Sequence, residues 1–312
     1  MSFALLFAGQ GTQHPDMLHW LEDEPASGPL VLAMQHRIGS DWRMQLQDPQ
    51  ARSANALAQT LITGTSLAAW AALVQHLIDA TGVEDASPAI VAGYSVGELA
   101  AFACAGVFAG VTAIGLAGHR AATMDASVAD GATGLLSVSG LRVDAVTQRF
   151  AHLDCAIYLA PDHAIYAGES RALEDATAIL QLQGAICRRL EVRVASHSRW
   201  MVAASEAFAG HLLDCEWRRP MVPIALNATG MATRQPDVLR QGLAQQLSST
   251  VQWASCMDAI AESGVRCVLE VGAGAALSKL WNQRYPGIAA RSIDEFRNAE
   301  GAARWIAQNR GD

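Results

Sequence analysis

The stretch Ala89-Ile-Val-Ala-Gly93-Tyr-Ser95-Val-Gly97-Glu-Leu-Ala-Ala-Phe-Ala103 decides the fold: an apolar run, a turn on two glycines, then a run of helix formers. Ala89 to Ala92 read as a buried strand. Glu98 to Ala105 read as a helix, with an acid in the first turn where the helix dipole is positive. Between them, Gly93-Tyr-Ser95-Val-Gly97 fits a nucleophile elbow, a sharp strand-to-helix turn that lifts a serine hydroxyl off the sheet while small neighbours relieve crowding. The Val96 N–H, opening the helix, is placed to face an oxyanion formed on an acyl group attached to Ser95. The five letters alone can arise by chance in a chain this rich in Gly and Ala; the strand before and the helix after give them weight.

Working toward the N-terminus, Phe3 to Ala8 reads as a short buried strand ending at Gly9-Gln10-Gly11-Thr-Gln13. The two glycines let the chain turn close to a ligand, which makes the Gln10 N–H a candidate second oxyanion donor; a strand-end Gly-Gln-Gly is also an ordinary turn. Pro15 to about Asp48 reads as short helices joined by loops, with Trp20, Met34 and Trp42 as packing anchors. Ala54 to Ala80 has helical apolar spacing interrupted by Gly64, so it reads as two helices or one kinked helix beside the elbow.

Toward the C-terminus, Val107 to Met124 reads as helix and carries Arg120. An arginine on an Ala-rich helical face is either a solvated cation or a planar fork for a carboxylate. From Thr133 to Val194 the texture changes. Strand Leu135–Val138, helix Val143–Ala151, strands Cys155–Leu159 and Ala164–Ala167 around a Pro161-Asp162-His163 turn, helix Ser170–Gln183 and strand Ala185–Val192 make a β-α-β-β-α-β order, the ferredoxin-like unit. Its exit, from Arg193 through Ser196-His197, leads into another helix. That puts His197 where two domains meet, a place where ligands bind; a histidine satisfied at a helix start is the alternative. Next come a strand Val222–Asn227, a helix Pro236–Leu247 and a helix from Thr250-Val-Gln252-Trp253 to Ser263. Strand Val265–Val271 ends at Gly272-Ala-Gly274 and leads into a helix Ala276–Gln283. That Gly-x-Gly lacks the rest of a dinucleotide fingerprint and reads as a tight turn lining the cleft. Trp305 lies in a terminal helix expected to cover the sheet edge.

The fold expected is therefore α/β: a large α/β-hydrolase-like domain formed by residues 1–130 and 197–312, interrupted by a ferredoxin-like small domain at 131–196. Among 312 residues the hydrophobic share is 51% and the formal net charge −8, with no basic cluster, which argues against nucleic-acid binding and requires an anionic substrate to be held by individually placed cations. Six cysteines stand singly in apolar surroundings, with no C-x-x-C pair. They read as reduced thiols of a cytoplasmic protein rather than metal or redox ligands. With no charged segment before the first apolar residues and no uninterrupted apolar run of bilayer length, neither secretion nor membrane insertion is expected.

These signals together resemble the malonyl-CoA:acyl-carrier-protein transacylase family over nearly the whole chain. The matching residues are Gly9-Gln10-Gly11-Thr-Gln13, Gly93 to Glu98, Arg120 in its Arg-x-x-x-Met setting, Ser196-His197, Val251-Gln252-Trp253 and Glu270-Val-Gly-x-Gly274, in the family's order. The resemblance implies Ser95 as acyl nucleophile, His197 as general base, Arg120 as clamp on the malonyl carboxylate, Gln252 as the partner that orients His197, and the N–H groups of Gln10 and Val96 as oxyanion hole. It implies malonyl-CoA as substrate, the phosphopantetheine-type thiol of an acyl carrier protein as acceptor, and neither metal nor bound cofactor.

The chain departs from the family at Tyr94, where His is usual, at Val96, where Leu is usual, and at Leu159-Ala-Pro-Asp-His163, which lacks the usual Asn and Gln. Gly-Tyr-Ser-Val-Gly-Glu with a Gly-Gln-Gly-Thr-Gln-His-Pro opening looks most like the transacylase (epsilon) subunit of malonate decarboxylase, whose acceptor is that enzyme's carrier subunit. The alternatives are the same chemistry serving fatty acid or polyketide synthesis, and a non-catalytic subunit that binds a carrier. The intact set of Ser95, His197, Arg120 and Gln252 argues against the last. A serine hydrolase of the elbow type would call for an acidic triad member, and none announces itself.

Overall fold

The computed structural model describes residues 2–82, 86–127, 132–192 and 194–311. Among these residues ten strands run in chain order: β1 (Phe3–Phe7), β2 (Ile90–Gly93), β3 (Thr133–Ser139), β4 (Asp154–Ala160), β5 (His163–Glu169), β6 (Ile186–Arg189), β7 (Ile224–Ala225), β8 (Ala232–Thr233), β9 (Cys267–Val271) and β10 (Ala289–Ser292). Six form one sheet in the order β10-β9-β1-β2-β7-β8, parallel except for the last pair. Helices on both faces bury the central strands, which is why β1, β2 and β9 read as unbroken apolar runs rather than alternating ones. The elbow thus leaves the C-terminal end of a central parallel strand, where open α/β sheets place their ligands.

The other four strands form an antiparallel sheet in the order β4-β5-β3-β6, with helices Val143–Arg149 and Ser170–Leu182 between them in sequence. One face packs on those helices through a separate core that includes Leu136, Val138, Tyr166, Leu173 and Leu180. The opposite face turns Leu135, Ile157 and Ile165 toward the core beneath the large sheet, alongside Trp253 and Met257. Backbone bonds stitch the two parts: Tyr158 N–H donates to the Val251 carbonyl at 2.9 Å and Val251 N–H to that of Ala156 at 2.9 Å. The expected domain limit at 130/131 and the exit residue Arg193 lie outside the described residues.

Several expectations change on contact with the fold. Of the two readings for this stretch, two helices or one kinked helix, residues 55–81 take the single-helix form, Asn55–Thr81. Gly64 does not break it; a Cβ there would sit 2.8 Å from the Met34 side chain, so the glycine lets helix Gly28–Ile38 pack closely. By length and composition this helix could cross a membrane, against the expectation that no stretch could, yet 67% of its apolar window is buried inside the protein. The apolar run after the elbow is split at Gly106 (φ 83°) into helices Gly97–Cys104 and Gly110–Ala126. The terminal helix Ala299–Asn309 packs on helix Asn55–Thr81 rather than closing the sheet edge, which is formed by β10. Strand β10, Ala-Ala-Arg-Ser, carries too little apolar patterning to be seen in sequence.

Candidate active site

The elbow is tight. A Cβ on Gly93 would fall 2.1 Å from the Gly97 backbone, and one on Gly97 would fall 2.4 Å from the Phe7 carbonyl oxygen, so only hydrogen fits at either position. Ser95 takes the strain, at φ 55°, a left-handed conformation that costs an L-residue about 1–2 kcal/mol. Asn227 holds it there: its Nδ2 donates to the Gly93 carbonyl at 2.7 Å and its Oδ1 accepts from Ser95 N–H at 2.9 Å. Sequence reading missed Asn227, because nothing local marks a residue 132 positions from Ser95 as its anchor.

Ser95 Oγ lies 2.7 Å from His197 Nε2, and His197 Nδ1 lies 2.7 Å from the Gln246 carbonyl oxygen. A carbonyl can only accept, so Nδ1 carries the ring proton and Nε2 is left to accept from the serine hydroxyl. The partner of His197 is therefore the Gln246 carbonyl and not Gln252. Both ring nitrogens are taken, and Gln252 opens helix Trp253–Glu262 with its N–H on the Asn227 carbonyl and its Cβ beside Gly230. The family-like Val-Gln-Trp motif directed attention to the wrong glutamine, six residues along the chain. Burial, then the nearby Arg120 charge, push the His197 pKa down to about 3, against a smaller opposing effect of the Gln246 bond, so the ring is neutral at neutral pH and fit to take a proton.

Arg120 is 1% exposed, which removes the solvated reading. Nη1 donates to Gln59 Oε1 at 2.7 Å, and Nη2 to Gln246 Oε1 at 2.9 Å and more weakly to Ser95 Oγ at 3.4 Å, while Nε has no partner among the described residues. None of these acceptors is charged. A buried guanidinium held by amides beside a serine hydroxyl can take an anion, because unpaired buried cations are costly. Burial lowers its pKa to about 10, with Glu98 pulling the other way, so it stays a cation at neutral pH.

Neither the Gln10 nor the Val96 N–H carries a hydrogen bond among the described residues. The Gln10 loop is fixed instead by Gln13, whose Oε1 accepts from Gly11 N–H at 2.8 Å, and by Asp294, which accepts from Leu18 and Gly274 N–H at 2.6 and 2.7 Å. The Gly272-Ala-Gly274 turn is therefore bound to the opening loop through Asp294. Tyr94 packs edge-on to Trp253 at 5.1 Å and borders both an inner pocket of about 100 Å³ around Ser95, Arg120 and His197 and an outer cleft of about 570 Å³. Arg52, His163, Arg188 and Arg189 line that cleft, between the two sheets.

Comparison with known proteins places this geometry among relatives. The acyl transferase domain family matches residues 4–307. The malonyl CoA-acyl carrier protein transacylase of Escherichia coli O157:H7 is 30% identical over 308 residues, covering 94% of this chain and 96% of the relative. Among solved structures, the acyl-carrier-protein S-malonyltransferase of Burkholderia pseudomallei 1710b superposes with a TM-score of 0.88 at 26% identity, over 97% of this chain and 100% of that one. FabD of Acinetobacter baumannii gives 0.86 at 28% identity, over 98% of each chain.

Proposed function

The chain belongs to the acyl transferase domain family, and from that premise we propose that it is a malonyl-CoA:acyl-carrier-protein transacylase working through an acyl-enzyme on Ser95. The observation that carries the reading is the contact of Ser95 Oγ with both a neutral His197, at 2.7 Å, and a buried Arg120 that, among the described residues, pairs with amides and no carboxylate. Ser95 Oγ attacks the thioester carbonyl as His197 Nε2 takes its proton. The tetrahedral oxyanion receives the unpaired N–H groups of Gln10 and Val96. Collapse breaks the C–S bond, and His197 returns the proton to the departing CoA thiolate. A carrier thiol then attacks the acyl-serine, giving its proton to His197, which passes it back to Ser95 Oγ.

Arg120 selects the acyl group. Its fork pairs with a terminal carboxylate in the inner pocket, whereas an acetyl group leaves the cation desolvated and unpaired. The two sheets support a division into a large domain of 1–130 and 197–312 and a ferredoxin-like small domain of 131–196, with the cleft between them. A second reading, the transacylase subunit of malonate decarboxylase, is favoured by Tyr94 and Val96 in the elbow; the named relatives weigh toward the first.

Intact-protein mass spectrometry after brief exposure to malonyl-CoA, beside acetyl-CoA and Ser95→Ala, tests the chemistry. A malonyl adduct on the parent only, scarce with acetyl-CoA, is expected. No adduct and no CoA release would overturn it in favour of a binding subunit, and CoA release without an adduct would indicate a thioesterase. Offering the acyl-enzyme a fatty-acid-type carrier beside a malonate decarboxylase carrier subunit separates the two readings.

A further inference from the structure

Glu98 is fully buried in the first turn of the elbow helix, and no step of the transfer uses it. Its Oε1 accepts from Asn227 N–H at 2.6 Å and its Oε2 from Gln246 Nε2 at 2.6 Å. Gln246, equally buried, stands between this acid and the cation: Nε2 also donates to the Ser95 carbonyl at 2.9 Å, and Oε1 accepts from Arg120 Nη2 at 2.9 Å. We infer that Glu98 is a positioning residue for acyl selectivity: by accepting from the Gln246 amide nitrogen it fixes which end of that amide faces Arg120, and so holds the guanidinium fork beside Ser95. This rests on the proposed malonyl transfer and extends it to a residue that touches no substrate.

Donor and acceptor chemistry leaves one arrangement. A guanidinium only donates, carbonyls only accept, and so does the ionised Glu98 carboxylate, both of whose oxygens accept here, so the Gln246 nitrogen must face Glu98 and the Ser95 carbonyl while its oxygen faces Arg120. Replacing Glu98 by the isosteric glutamine breaks that logic. The Asn227 N–H still requires an acceptor, which turns the new NH₂ toward Gln246 Nε2. Two donors then face each other, or the Gln246 amide flips and presents its own NH₂ to Arg120. Either way a buried donor loses its partner beside the fork, while the Gln246 main-chain carbonyl, part of the backbone, keeps its bond to His197. Selectivity should therefore suffer more than the acyl-transfer step.

The test is the rate of Ser95 acylation against concentration of malonyl-CoA and of acetyl-CoA, read by intact mass. It compares the parent, Glu98→Gln, Gln246→Leu and the double variant at pH 9, above the value of about 8 to which burial raises the Glu98 carboxyl. Expected for Glu98→Gln is a fall of about tenfold in malonyl-over-acetyl preference, carried by a higher half-saturating malonyl-CoA concentration with the maximal rate kept within a few-fold. Gln246→Leu should lower the preference by a similar factor, and Glu98→Gln should add nothing to it in the double variant. Equal losses for both substrates, an unchanged preference, or a full further drop in the double variant would overturn the inference. If Glu98→Gln does not fold by thermal unfolding, an unchanged preference in Gln246→Leu overturns it alone. A parent that forms no malonyl adduct would instead fail the transfer reading itself.

Discussion

The strands on either side of β1 both end in a glycine-rich turn into a helix, and the two turns are built to opposite ends. After β9, the positive φ angles fall on glycines, Gly272 at 130° and Gly274 at 73°, and the buried Glu270 accepts from the N–H groups of Leu277 and Ser278 in the helix that follows. That turn is relaxed and its acid is satisfied locally, as a first-turn cap would be. After β2, the positive φ falls on Ser95 itself, and the acid of the turn, Glu98, reaches across to Asn227 and Gln246. A Gly-rich strand-to-helix turn is thus a generic device. A strained non-glycine residue and polar bonds to distant segments mark the one proposed to carry the chemistry.

Four changes would break or sharpen that contrast. Largest, Ser95→Ala should lower acylation by malonyl-CoA on the order of 10⁵-fold; by quench and mass analysis, a residual rate near the parent's would mean the elbow is no more reactive than the β9 turn. Next, Arg120→Met should cut malonyl-over-acetyl preference on the order of 10²-fold while acetyl transfer is retained or improved. The same competition assay would show an unchanged ratio if the buried cation served only the fold.

Stability should then move in opposite senses at the two turns. Gly272→Ala introduces a Cβ 2.7 Å from both Ala8 Cβ and Ser66 Oγ at φ 130°, so denaturant unfolding should show a loss of about 2–3 kcal/mol. At the elbow, Ser95→Gly should be more stable than Ser95→Ala by about 1 kcal/mol, since only glycine relieves the left-handed backbone. Equal stabilities would mean Ser95 carries no strain.

The smallest expected effect is a flat line. Because the His197 pKa is depressed to about 3, kcat/KM for malonyl-CoA should change less than twofold between pH 7 and 5, where an ordinary histidine would cost about 30-fold. For stability, His197 and the buried acids of the two turns, Glu98 and Glu270, differ in sign. His197 contributes stability present above 6.5 and lost as pH falls toward 3, while Glu270, raised by burial to about 7, contributes stability present below 4.5 and lost as pH rises through 7. Replacing Glu270 by Gln should reduce the second slope in a pH series of unfolding midpoints, leaving the part that Glu98, raised by burial to about 8, contributes.

Much of this site was legible in the chain. Ser95, Val96 and the elbow helix follow from local spacing, because a sharp turn needs Gly93 and Gly97 within two residues of its apex. Gln10, Arg120 and His197 were legible only as candidates, each with an ordinary structural alternative; burial removes it for Arg120, and the contact with Ser95 Oγ favours the functional reading of His197. Gln252 was misjudged and Gln246 missed for one reason: two glutamines six apart have the same local signals, and what separates them is which one meets His197, 49 residues away.

By itself the sequence determined most of the elements and the serine elbow, since apolar periodicity and glycine placement act over a few residues and are written in neighbouring letters. Only the tertiary structure decided the polar network: Asn227 on the elbow backbone, the Gln246 carbonyl on His197, and the Glu98–Gln246–Arg120 chain. Those bonds join residues from 49 to 148 positions apart. Their partners are chosen by which groups the closed fold leaves buried and unpaired, a quantity that exists only once the chain has packed.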